Sequence, residues 1–367
     1  MTHHAPFTIA RLDAFPLRVP FHDFVTGPRS QPQGWREFEM VLVRAETTDG
    51  VVGWGECFAY SCLRPAYHAV RDMVFPLVLG REVTDIAALN AELQFRLHIF
   101  GRYGITMFAI SGLDIALWDI AAKISGRSLA NLIGGDKRDQ VPAYASLVRY
   151  ADAALTGEIA ARAKGEGYRQ IKLHEIAYDP IAAARRAIGP DIKLMTDVNC
   201  SWSLDQAEAI LPKLKALDLY WAEEPIFPPE DFATIAKLQR FGVALSAGEN
   251  ACTAMEFQRL TEAVTFPQPS VIKVGGVTEF LKVARHAKAV GKTVMPHSPY
   301  FGPGYWATLQ LAATLPDPGL FEFMYVTPEA WLDPAIPLPQ AGQLAVPRGP
   351  GIGFTPDEAL LTRFRAE

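Results

Sequence analysis

Three segments of the sequence share one pattern: KLMTDVN (193–199), LYWAEEP (219–225) and VALSAGEN (243–250). In each segment a short apolar run leads to a carboxylate next to a turn, and these carboxylates are Asp197, Glu223 and Glu249. The intervals between them are equal, since 223 − 197 = 26 and 249 − 223 = 26. Equal intervals that leave room for a helix predict consecutive strands of a parallel α/β fold.

Five more apolar runs continue this alternation after residue 135. They are VPAYASL (141–147), YRQIKLH (168–174), SVIKVGG (270–276), TVMPHS (293–298) and LFEFM (320–324). Segments between the runs, such as SLDQAEAILPKLKAL (203–217) and TEFLKVARHAKAVG (278–291), have the spacing of amphipathic helices. Eight runs alternating with helices favour a parallel α/β barrel over an open doubly wound sheet. No GxGxxG follows an early strand, which argues against a dinucleotide-binding fold.

The region before residue 130 has a different pattern of apolar residues. EMVLVRAETTDGVVGWGE (39–56) places two β-rich runs around Asp49-Gly50, which predicts a hairpin. Residues 64–124 have helical periodicity, and FAISGLDIALWDIAAKISG (108–126) ends on a glycine. This region is therefore expected to form an α+β domain, and the Pro- and Gly-rich tail LPQAGQLAVPRGPGIGF (338–354) is expected to pack back on it.

Composition excludes several classes of protein. The net charge of −5 in 367 residues gives no reason to expect nucleic acid or an anionic membrane as a partner. Four scattered cysteines form no CxxC pair, so neither a disulfide framework nor a structural zinc site is indicated. The segment MTHHAPFTIARLDAF (1–15) has no apolar stretch of signal-peptide length, and no run elsewhere is expected to reach membrane-spanning length. We therefore expect a cytoplasmic protein.

The three carboxylates at successive strand ends predict a metal site. In a barrel the carboxyl ends of the strands meet at one mouth, so Asp197, Glu223 and Glu249 would lie side by side. Their mutual repulsion requires protons or a cation to neutralise it. Oxygen-only ligands favour a hard cation such as Mg²⁺. The alternative is that each acid caps the helix after it, but the equal spacing favours the metal.

Other strand ends would face this metal. Lys172 and His174 lie two residues apart on one strand and therefore on the same face. His297 ends the predicted seventh strand and Glu322 the predicted eighth. A solvated or structural role is open for Lys172 and His174. Beside a divalent cation, however, this set suggests proton abstraction from a carbon next to a carboxylate.

These residues and several longer motifs resemble the enolase superfamily, and within it the mandelate racemase-like subgroup. The motifs are VGWGE (52–56), ISGLDIALWDIAAK (110–123), GYRQIKLH (167–174), TDVNCSW (196–202), WAEEP (221–225), SAGEN (246–250), IKVGGVTE (272–279) and MPHSP (295–299). The resemblance implies a capping domain (1–130), a (β/α)7β TIM-type barrel (131–325) and a C-terminal segment (326–367) that returns to the cap. It also implies a homo-oligomer.

The resemblance assigns roles by position. Asp197, Glu223 and Glu249 match the ligands of one Mg²⁺ per subunit, and Asn199 matches a polar residue that often follows the first ligand. Lys172 matches the first lysine of the family's Lys-x-Lys pair, His297 its histidine base, and Glu322 the acid that hydrogen-bonds the substrate carboxylate. Trp202 matches a residue common in acid-sugar dehydratases, although it could equally pack beside the metal.

Two positions depart from the family pattern. His174 stands where the second lysine is usual, and Ser270 where an aspartate usually orients the histidine of the seventh strand. A serine can hydrogen-bond an imidazole but cannot stabilise imidazolium as a carboxylate does, so His297 is expected to be less basic. Both departures argue against a symmetric two-base racemase.

Loops of the capping domain suggest further contacts with a substrate. His22, Asp23, Arg29 and Tyr60 lie in FHDFVTGPRSQ (21–31) and WGECFAYSC (54–62), and each could contact a polyhydroxylated molecule or simply be solvated. The leading expectation is Mg²⁺-dependent dehydration of a sugar acid to a 2-keto-3-deoxy acid. A racemase, epimerase or lactone cycloisomerase on the same scaffold is the first alternative, and a non-catalytic ligand-binding barrel is the second.

Overall fold

The computed structural model describes residues 4–25, 35–135, 138–316 and 319–366. Its strands are β1 (Phe7–His22), β2 (Glu37–Thr47), β3 (Val52–Phe58), β4 (Glu82–Val83), β5 (Gln140–Ser146), β6 (Gln170–Leu173), β7 (Lys193–Asp197), β8 (Leu219–Glu223), β9 (Leu245–Ala247), β10 (Phe266–Pro267), β11 (Phe321–Met324), β12 (Thr327–Pro328) and β13 (Gln343–Ala345). Its helices are α1 (Leu63–His68), α2 (Ile86–Arg96), α3 (Gly104–Ile124), α4 (Leu129–Leu132), α5 (Ala153–Gly165), α6 (Tyr178–Ile188), α7 (Leu204–Lys215), α8 (Phe232–Leu238), α9 (Thr253–Ala263), α10 (Gly276–Ala289), α11 (Pro303–Thr314) and α12 (Glu358–Arg363).

The N-terminal part is an antiparallel sheet covered by helices. Its strands lie in the order β12-β1-β2-β3, and β4 adds to β1. The predicted hairpin at Asp49-Gly50 is confirmed: it joins β2 to β3, and Gly50 adopts a φ of +79° that glycine tolerates readily. The α+β character expected for this region is therefore confirmed.

Helix α3 is the central helix of this part. Its length and mean hydropathy would allow it to cross a membrane, but 94% of its most apolar window is buried inside the protein. It packs closely on β3, where a Cβ added to Gly55 would come within 1.8 Å of the Gly112 carbonyl oxygen. Its apolar surface therefore serves the protein core.

The second part is a curled parallel sheet. Strands β10-β9-β8-β7-β6-β5-β11 are neighbours in that order, and the eighth strand of the unit, β11, pairs with the first, β5. Helices α5 to α11 lie between the strands in sequence, which confirms the (β/α)7β barrel. A cluster of buried side chains fills its interior, contributed by Tyr144, Met195, Trp221, Met295 and Leu320.

The sixth and seventh strands differ from the prediction. The predicted strand at 270–276 is wrong: this segment is a turn, in which the Lys273 and Val274 amides both donate to the Ser270 carbonyl oxygen. The sixth strand is the two-residue β10 just before it. The seventh segment is not a regular strand, but the Met295 amide donates to Pro267 O and the His297 amide to Pro269 O, so the segment still lies beside β10.

The C-terminal tail returns to the cap, as predicted. Arg365 bridges to Leu17 of β1, and the Ile352 amide donates to the buried Asp119 carboxylate of α3 at 2.8 Å. The tail also pairs β13 with β5 of the barrel, so it contacts both parts. The boundaries 1–130, 131–325 and 326–367 remain predictions.

Candidate active site at the barrel mouth

The ammonium group of Lys172 lies at the centre of an acidic cluster beneath the barrel mouth. Its Nζ is 2.8 Å from Glu322 Oε1, 2.9 Å from Glu223 Oε1 and 3.5 Å from Asp197 Oδ2. Burial lowers the pKa of Lys172, but the carboxylates, Glu223 and Glu322 foremost, outweigh it and raise this pKa well above its usual value. Lys172 therefore stays charged and holds the cluster together.

The register of the sheet brings two of the predicted metal ligands together. Asp197 and Glu223 end β7 and β8 and are direct neighbours across the two strands. Burial raises the pKa of each to about 7, and the proximity of other carboxylates adds to the shift although Lys172 opposes it. Both acids are therefore poorly neutralised by the protein alone, which is the condition that a bound cation relieves.

Glu249, the third predicted ligand, lies in the loop two residues after β9. Its Oε2 is 2.6 Å from His297 Nε2. Burial raises the pKa of Glu249, but Lys273 and His297 more than compensate and bring it well below its usual value. Glu249 is therefore ionised and faces the acids of β7 and β8 from the next strand along the sheet.

The chemistry of these donors fits a hard divalent cation. The three acids supply only carboxylate oxygens, they are mostly buried, and they come from neighbouring strand ends. Within the described residues, no three acidic, histidine or cysteine side chains converge closely enough to enclose an ion. Each acid is instead turned toward a basic partner, Lys172, His174 or His297.

His174 is oriented by its backbone contact. Its Nδ1 lies 2.5 Å from the Leu147 carbonyl oxygen, and because a carbonyl can only accept, Nδ1 carries the proton in the neutral ring. The lone pair of the neutral ring is then on Nε2, 3.5 Å from Asp197 Oδ2. Burial and then the charge of Lys172 lower the pKa of His174. Near neutral pH this imidazole can therefore accept a proton through Nε2.

His297 lacks a partner for its second ring nitrogen. Nε2 contacts Glu249, whereas the buried Nδ1 has no hydrogen-bond partner among the described residues. Ser270 does not bond it: the Ser270 hydroxyl is 3.5 Å from the Tyr300 hydroxyl instead. The expected hydrogen bond of Ser270 to His297 is therefore wrong, because the serine is fully buried beside Tyr300. A contact of Ser270 with a substrate stays a prediction.

A cavity of about 830 Å³ lies above these residues, between the barrel and the cap. Of the residues predicted to face a substrate, His174, His297, Glu249, Asn199 and Tyr60 line it. The backbone amide of Asn199 donates to Asp197 Oδ1 at 2.8 Å, which fixes the position of this residue. Lys172, Asp197, Glu223 and Glu322 lie under the cavity floor, almost fully buried.

Three of the predicted contact residues are elsewhere. Trp202 is buried and its indole donates to Ile176 O, so it packs rather than lines the cavity. His22 is exposed at the end of β1, where it pairs with Thr327 of β12, and Asp23 is buried next to it; neither is among the residues that line the cavity. The packed position of Trp202 agrees with the alternative expected for it, and the substrate contacts of His22 and Asp23 stay predictions. Arg29 lies outside the described residues.

Sequence reasoning missed several polar residues of the cavity wall. Arg149 donates to the His174 carbonyl oxygen and to Asn199 Oδ1. Lys273 lies in the turn that was taken for a strand, and Glu56 comes from β3 of the cap. Glu56 and Lys273 lie in the motifs VGWGE and IKVGGVTE, which resemble the family, so the sequence did offer a reason to single out these two residues.

Comparisons with known proteins agree with this architecture. The description "Mandelate racemase / muconate lactonizing enzyme, N-terminal domain" matches residues 25–134, and "Enolase C-terminal domain-like" matches residues 155–360. A D-galactarolactone cycloisomerase from Agrobacterium fabrum is 32% identical over 89% of this chain and 91% of its own length. A D-gluconate dehydratase from Thermoproteus tenax is 31% identical over 91% of this chain and 71% of its own.

Solved structures agree as well. A racemase from Streptomyces coelicolor with bound magnesium superimposes with a TM-score of 0.86 at 27% identity, covering 98% of this chain and all of the other. The capped (β/α)7β barrel and its acidic mouth define the class of the protein as an enzyme of the enolase superfamily. Within that class, the chain belongs to the mandelate racemase/muconate lactonizing enzyme family.

Proposed function

We propose that the protein removes the proton α to the carboxylate of a sugar acid and then eliminates the β-hydroxyl, so that the product is a 2-keto-3-deoxy acid. The observation that supports this most is the pair of histidines at the cavity floor, His174 from the second strand and His297 from the seventh, next to the acids of β7, β8 and β9. Dehydratases among its relatives support the same reaction class.

Asp197, Glu223 and Glu249 would hold one Mg²⁺. When bound, the ion would polarise the substrate carboxylate and stabilise the negative charge that develops on it. Lys172 adds a fixed positive charge next to the same acids, and its contact with Glu322 Oε1 keeps that carboxylate ionised, with a pKa lowered to about 2 despite burial. An ionised Glu322 accepts hydrogen bonds and cannot donate one to the substrate carboxylate, so its part in this proposal is to hold Lys172 under the cavity floor.

The proton transfers are assigned from the ring contacts. Nε2 of His174 takes the α-proton, because Nδ1 is occupied by its bond to Leu147 O. The C–H electron pair forms the C1–C2 double bond of an enediolate. These electrons then form the C2–C3 double bond of an enol while the β C–O bond breaks and His297 Nε2 delivers a proton to the leaving hydroxyl, so that water departs. The enol becomes the 2-keto acid by taking a proton at C3 and losing the proton of its C2 hydroxyl.

Lactone cycloisomerisation is the second candidate, favoured by the aromatic wall of the cavity. Trp35, Phe58, Tyr60, Tyr103 and Phe108 line the cap side, and such a surface suits the face of a ring better than an open polyhydroxylated chain. Relatives named cycloisomerases also support it. In this reaction the same α-proton is removed, but the leaving oxygen belongs to the ring.

Incubation of the enzyme with a panel of sugar acids and their lactones, in deuterated water with Mg²⁺, distinguishes dehydration from lactone cycloisomerisation. A 2-keto-3-deoxy product supports dehydration, and an acyclic or ring-opened isomer supports cycloisomerisation. Deuterium at the α-carbon without water loss or ring opening would leave only racemisation or epimerisation. His174→Asn and His297→Asn should each lower kcat by at least about 100-fold, whereas the exposed control His68→Asn should not. Unchanged turnover in both variants would contradict the proposed roles.

We also propose that the enzyme acts in the cytoplasm as a homo-oligomer on a small carboxylate, without nucleic acid or membrane partners. The acidic balance of the chain supports this. Light scattering on the purified protein measures the oligomeric state, and a monomer at micromolar concentration would contradict the proposal.

A further inference from the structure

Three buried polar side chains of the cap converge on one short segment of the barrel. They belong to Asn90 of α2 and to Ser111 and Asp114 of α3, and each is at most 3% exposed. The segment they contact, residues 273–278, contains the end of the turn at 270–276 and the first residues of α10; we call it the Lys273 segment. None of the three side chains takes part in the proposed proton transfers.

Hydrogen bonds from these side chains fix the backbone of the Lys273 segment. Ser111 Oγ accepts from the Gly275 amide at 2.9 Å, and Asn90 Nδ2 donates to the Gly275 carbonyl oxygen at 2.9 Å. Asp114 Oδ1 accepts from the Thr278 amide at 3.0 Å, and its Oδ2 accepts from Asn90 Nδ2 at 2.8 Å. Both backbone polar groups of Gly275 and one amide in the first turn of α10 are therefore bonded to the cap.

The backbone of this segment also packs directly against the Asp114 carboxylate. Gly275 and Gly276 have φ angles of +114° and +80°, which glycine adopts readily. A Cβ on Gly276 would lie 2.3 Å from Asp114 Oδ1. The carboxylate and the start of α10 thus touch without an intervening side chain, so a shift of α3 must be followed by the Lys273 segment.

Lys273, at the beginning of this segment, faces the active site. It lines the cavity although only 6% of its surface is exposed, and its Nζ lies 4.6 Å from the centre of the Phe58 ring of β3. Its charge is the main influence that opposes burial and lowers the pKa of Glu249. Because the interaction between two charges depends on their separation, the position of the Lys273 segment sets how strongly Lys273 acts on Glu249.

The barrel holds the same segment from the other side. Cys252 Sγ donates to the Lys273 carbonyl oxygen at 3.5 Å, and the Thr253 amide donates to the Val274 carbonyl oxygen at 3.1 Å. The barrel contacts reach residues 273 and 274, whereas the cap contacts reach residues 275 and 278. The Lys273 segment is therefore held between the two parts, while Glu249 follows β9 of the barrel alone.

We propose that Asp114, together with Ser111 and Asn90, is a positioning residue of the active site, which fixes the Lys273 segment to the cap and so holds the Lys273 ammonium group near Glu249 at the cavity wall. This inference rests on the proposed function, in which Glu249 is one of the acids that act on the substrate. It gives the cap a part in the electrostatics of the barrel mouth, in addition to its part in the cavity wall.

Chemical labelling of Lys273 tests the positioning without turnover. A short pulse of acetic anhydride acetylates accessible amines, and mass spectrometry of the digested protein gives the rate at Lys273 relative to the rate at Lys288, an exposed lysine of α10. Asp114→Ala is expected to raise this ratio at least about 10-fold, because the lost hydrogen bonds release the Lys273 segment. Ser111→Ala removes only one of these bonds and should raise the ratio about 3-fold.

Asp333→Ala is the matched control. Asp333 is also a buried acid that accepts from two backbone amides, but it lies in the C-terminal tail. A labelling ratio in folded Asp114→Ala within about 2-fold of the wild type, or a rise of the same size in Asp333→Ala, would overturn the inference. Circular dichroism checks the folding, and if Asp114→Ala does not fold, the ratio in Ser111→Ala decides.

A double-mutant cycle on kcat/KM tests whether Asp114 acts through Lys273. Asp114→Ala and Lys273→Met are each expected to lower kcat/KM about 10-fold, and the double variant should stay within about 3-fold of Lys273→Met alone. Effects that multiply in the double variant would overturn the route through Lys273, because a purely structural role of Asp114 is independent of that lysine. Absence of turnover with every acid would contradict the proposed function, and the labelling ratios would still decide the positioning of Lys273.

Discussion

The contacts of Ser270 separate it from the chemistry of His297. Its hydroxyl bonds the Tyr300 hydroxyl, whose own proton is donated to the His297 carbonyl oxygen at 2.9 Å rather than to the ring. We predict that Ser270→Ala keeps kcat within about 3-fold of the wild type, because only one weak buried hydrogen bond is lost. Steady-state kinetics on the substrate found in the panel measures this.

A serine that oriented the imidazole would behave differently. Its loss would lower kcat by about 100-fold or more, as expected for a group that positions a proton donor. That outcome would contradict the role assigned here to Tyr300. Ser201→Ala, which removes a hydroxyl from another part of the cavity wall, is the matched control for small changes in cavity polarity.

Glu56 makes the stability of the fold depend on pH. Burial raises its pKa to about 8, although the Gly304 amide, which donates to Oε2 at 2.8 Å, opposes the shift. Between its unfolded pKa near 4.5 and this value, the folded protein holds a proton that the unfolded chain has lost. For this group, stability therefore falls as the pH rises through that interval.

Glu56→Gln removes the ionisation and keeps an oxygen to accept from Gly304. We predict that the variant is more stable than the wild type by about 4 kcal/mol at pH 8 and by less than about 1 kcal/mol at pH 5. Urea denaturation at the two pH values measures the difference, with the exposed Glu158→Gln as control. A gain that is the same at both pH values would rule out the ionisation as its cause.

At the scale of elements, regular alternation was predictable and irregular strands were not. β7 and β8 end on Asp197 and Glu223 as expected, because their apolar runs are buried and continuous. The run at 270–276 is richer in β-branched residues than β7 or β8, but the Lys273 and Val274 amides bond back to Ser270 O and form a turn. Composition alone could not distinguish the two, since both bury apolar side chains.

The contact of α3 with β3 depends on the absence of side chains at two positions. A Cβ on Gly112 would lie 2.3 Å from Cys57 Sγ, and one on Gly55 1.8 Å from Gly112 O. We predict that Gly112→Ala destabilises the protein by about 3 kcal/mol, because the helix and the strand must separate to admit the methyl group. Thermal denaturation measures the loss.

Gly165→Ala is the matched control for that substitution. Gly165 ends α5, and a Cβ there meets no atom within 4 Å. Because alanine favours helix over glycine, this variant should be unchanged or slightly more stable. A similar effect of both substitutions would show that the packing of α3 on β3 does not limit stability.

At the scale of the whole molecule, the sequence predicted the two-part architecture and the acidic floor but not the cavity wall. The floor residues end consecutive strands, so their spacing is visible along the chain. Arg149 and Lys273 of the barrel line one cavity with Glu56 of the cap, and no spacing along the chain shows that these three residues share a wall.

Asp119 joins α3 to β3 of the cap and to the C-terminal tail. Its buried carboxylate accepts from the Trp54 amide of β3 at 2.9 Å, from the Ile352 amide of the tail at 2.8 Å and from Lys123 Nζ at 2.7 Å. Asp119→Ala leaves two buried amides without an acceptor and removes the carboxylate partner of Lys123, whose Nζ keeps its bond to Val52 O. We predict a loss of about 3 kcal/mol and a lower thermal midpoint.

Because the cap supplies part of the cavity wall, the same substitution should also raise KM more than it lowers kcat. The floor residues, which belong to the barrel, would keep their contacts while the tail and β3 shift against them. Steady-state kinetics on Asp119→Ala measure the changes in KM and kcat. Glu158→Ala, which removes an exposed acid from α5, is the control. A lower kcat with an unchanged KM in Asp119→Ala would contradict this prediction. It would show that the Asp119 carboxylate does not hold the cap wall of the cavity in position.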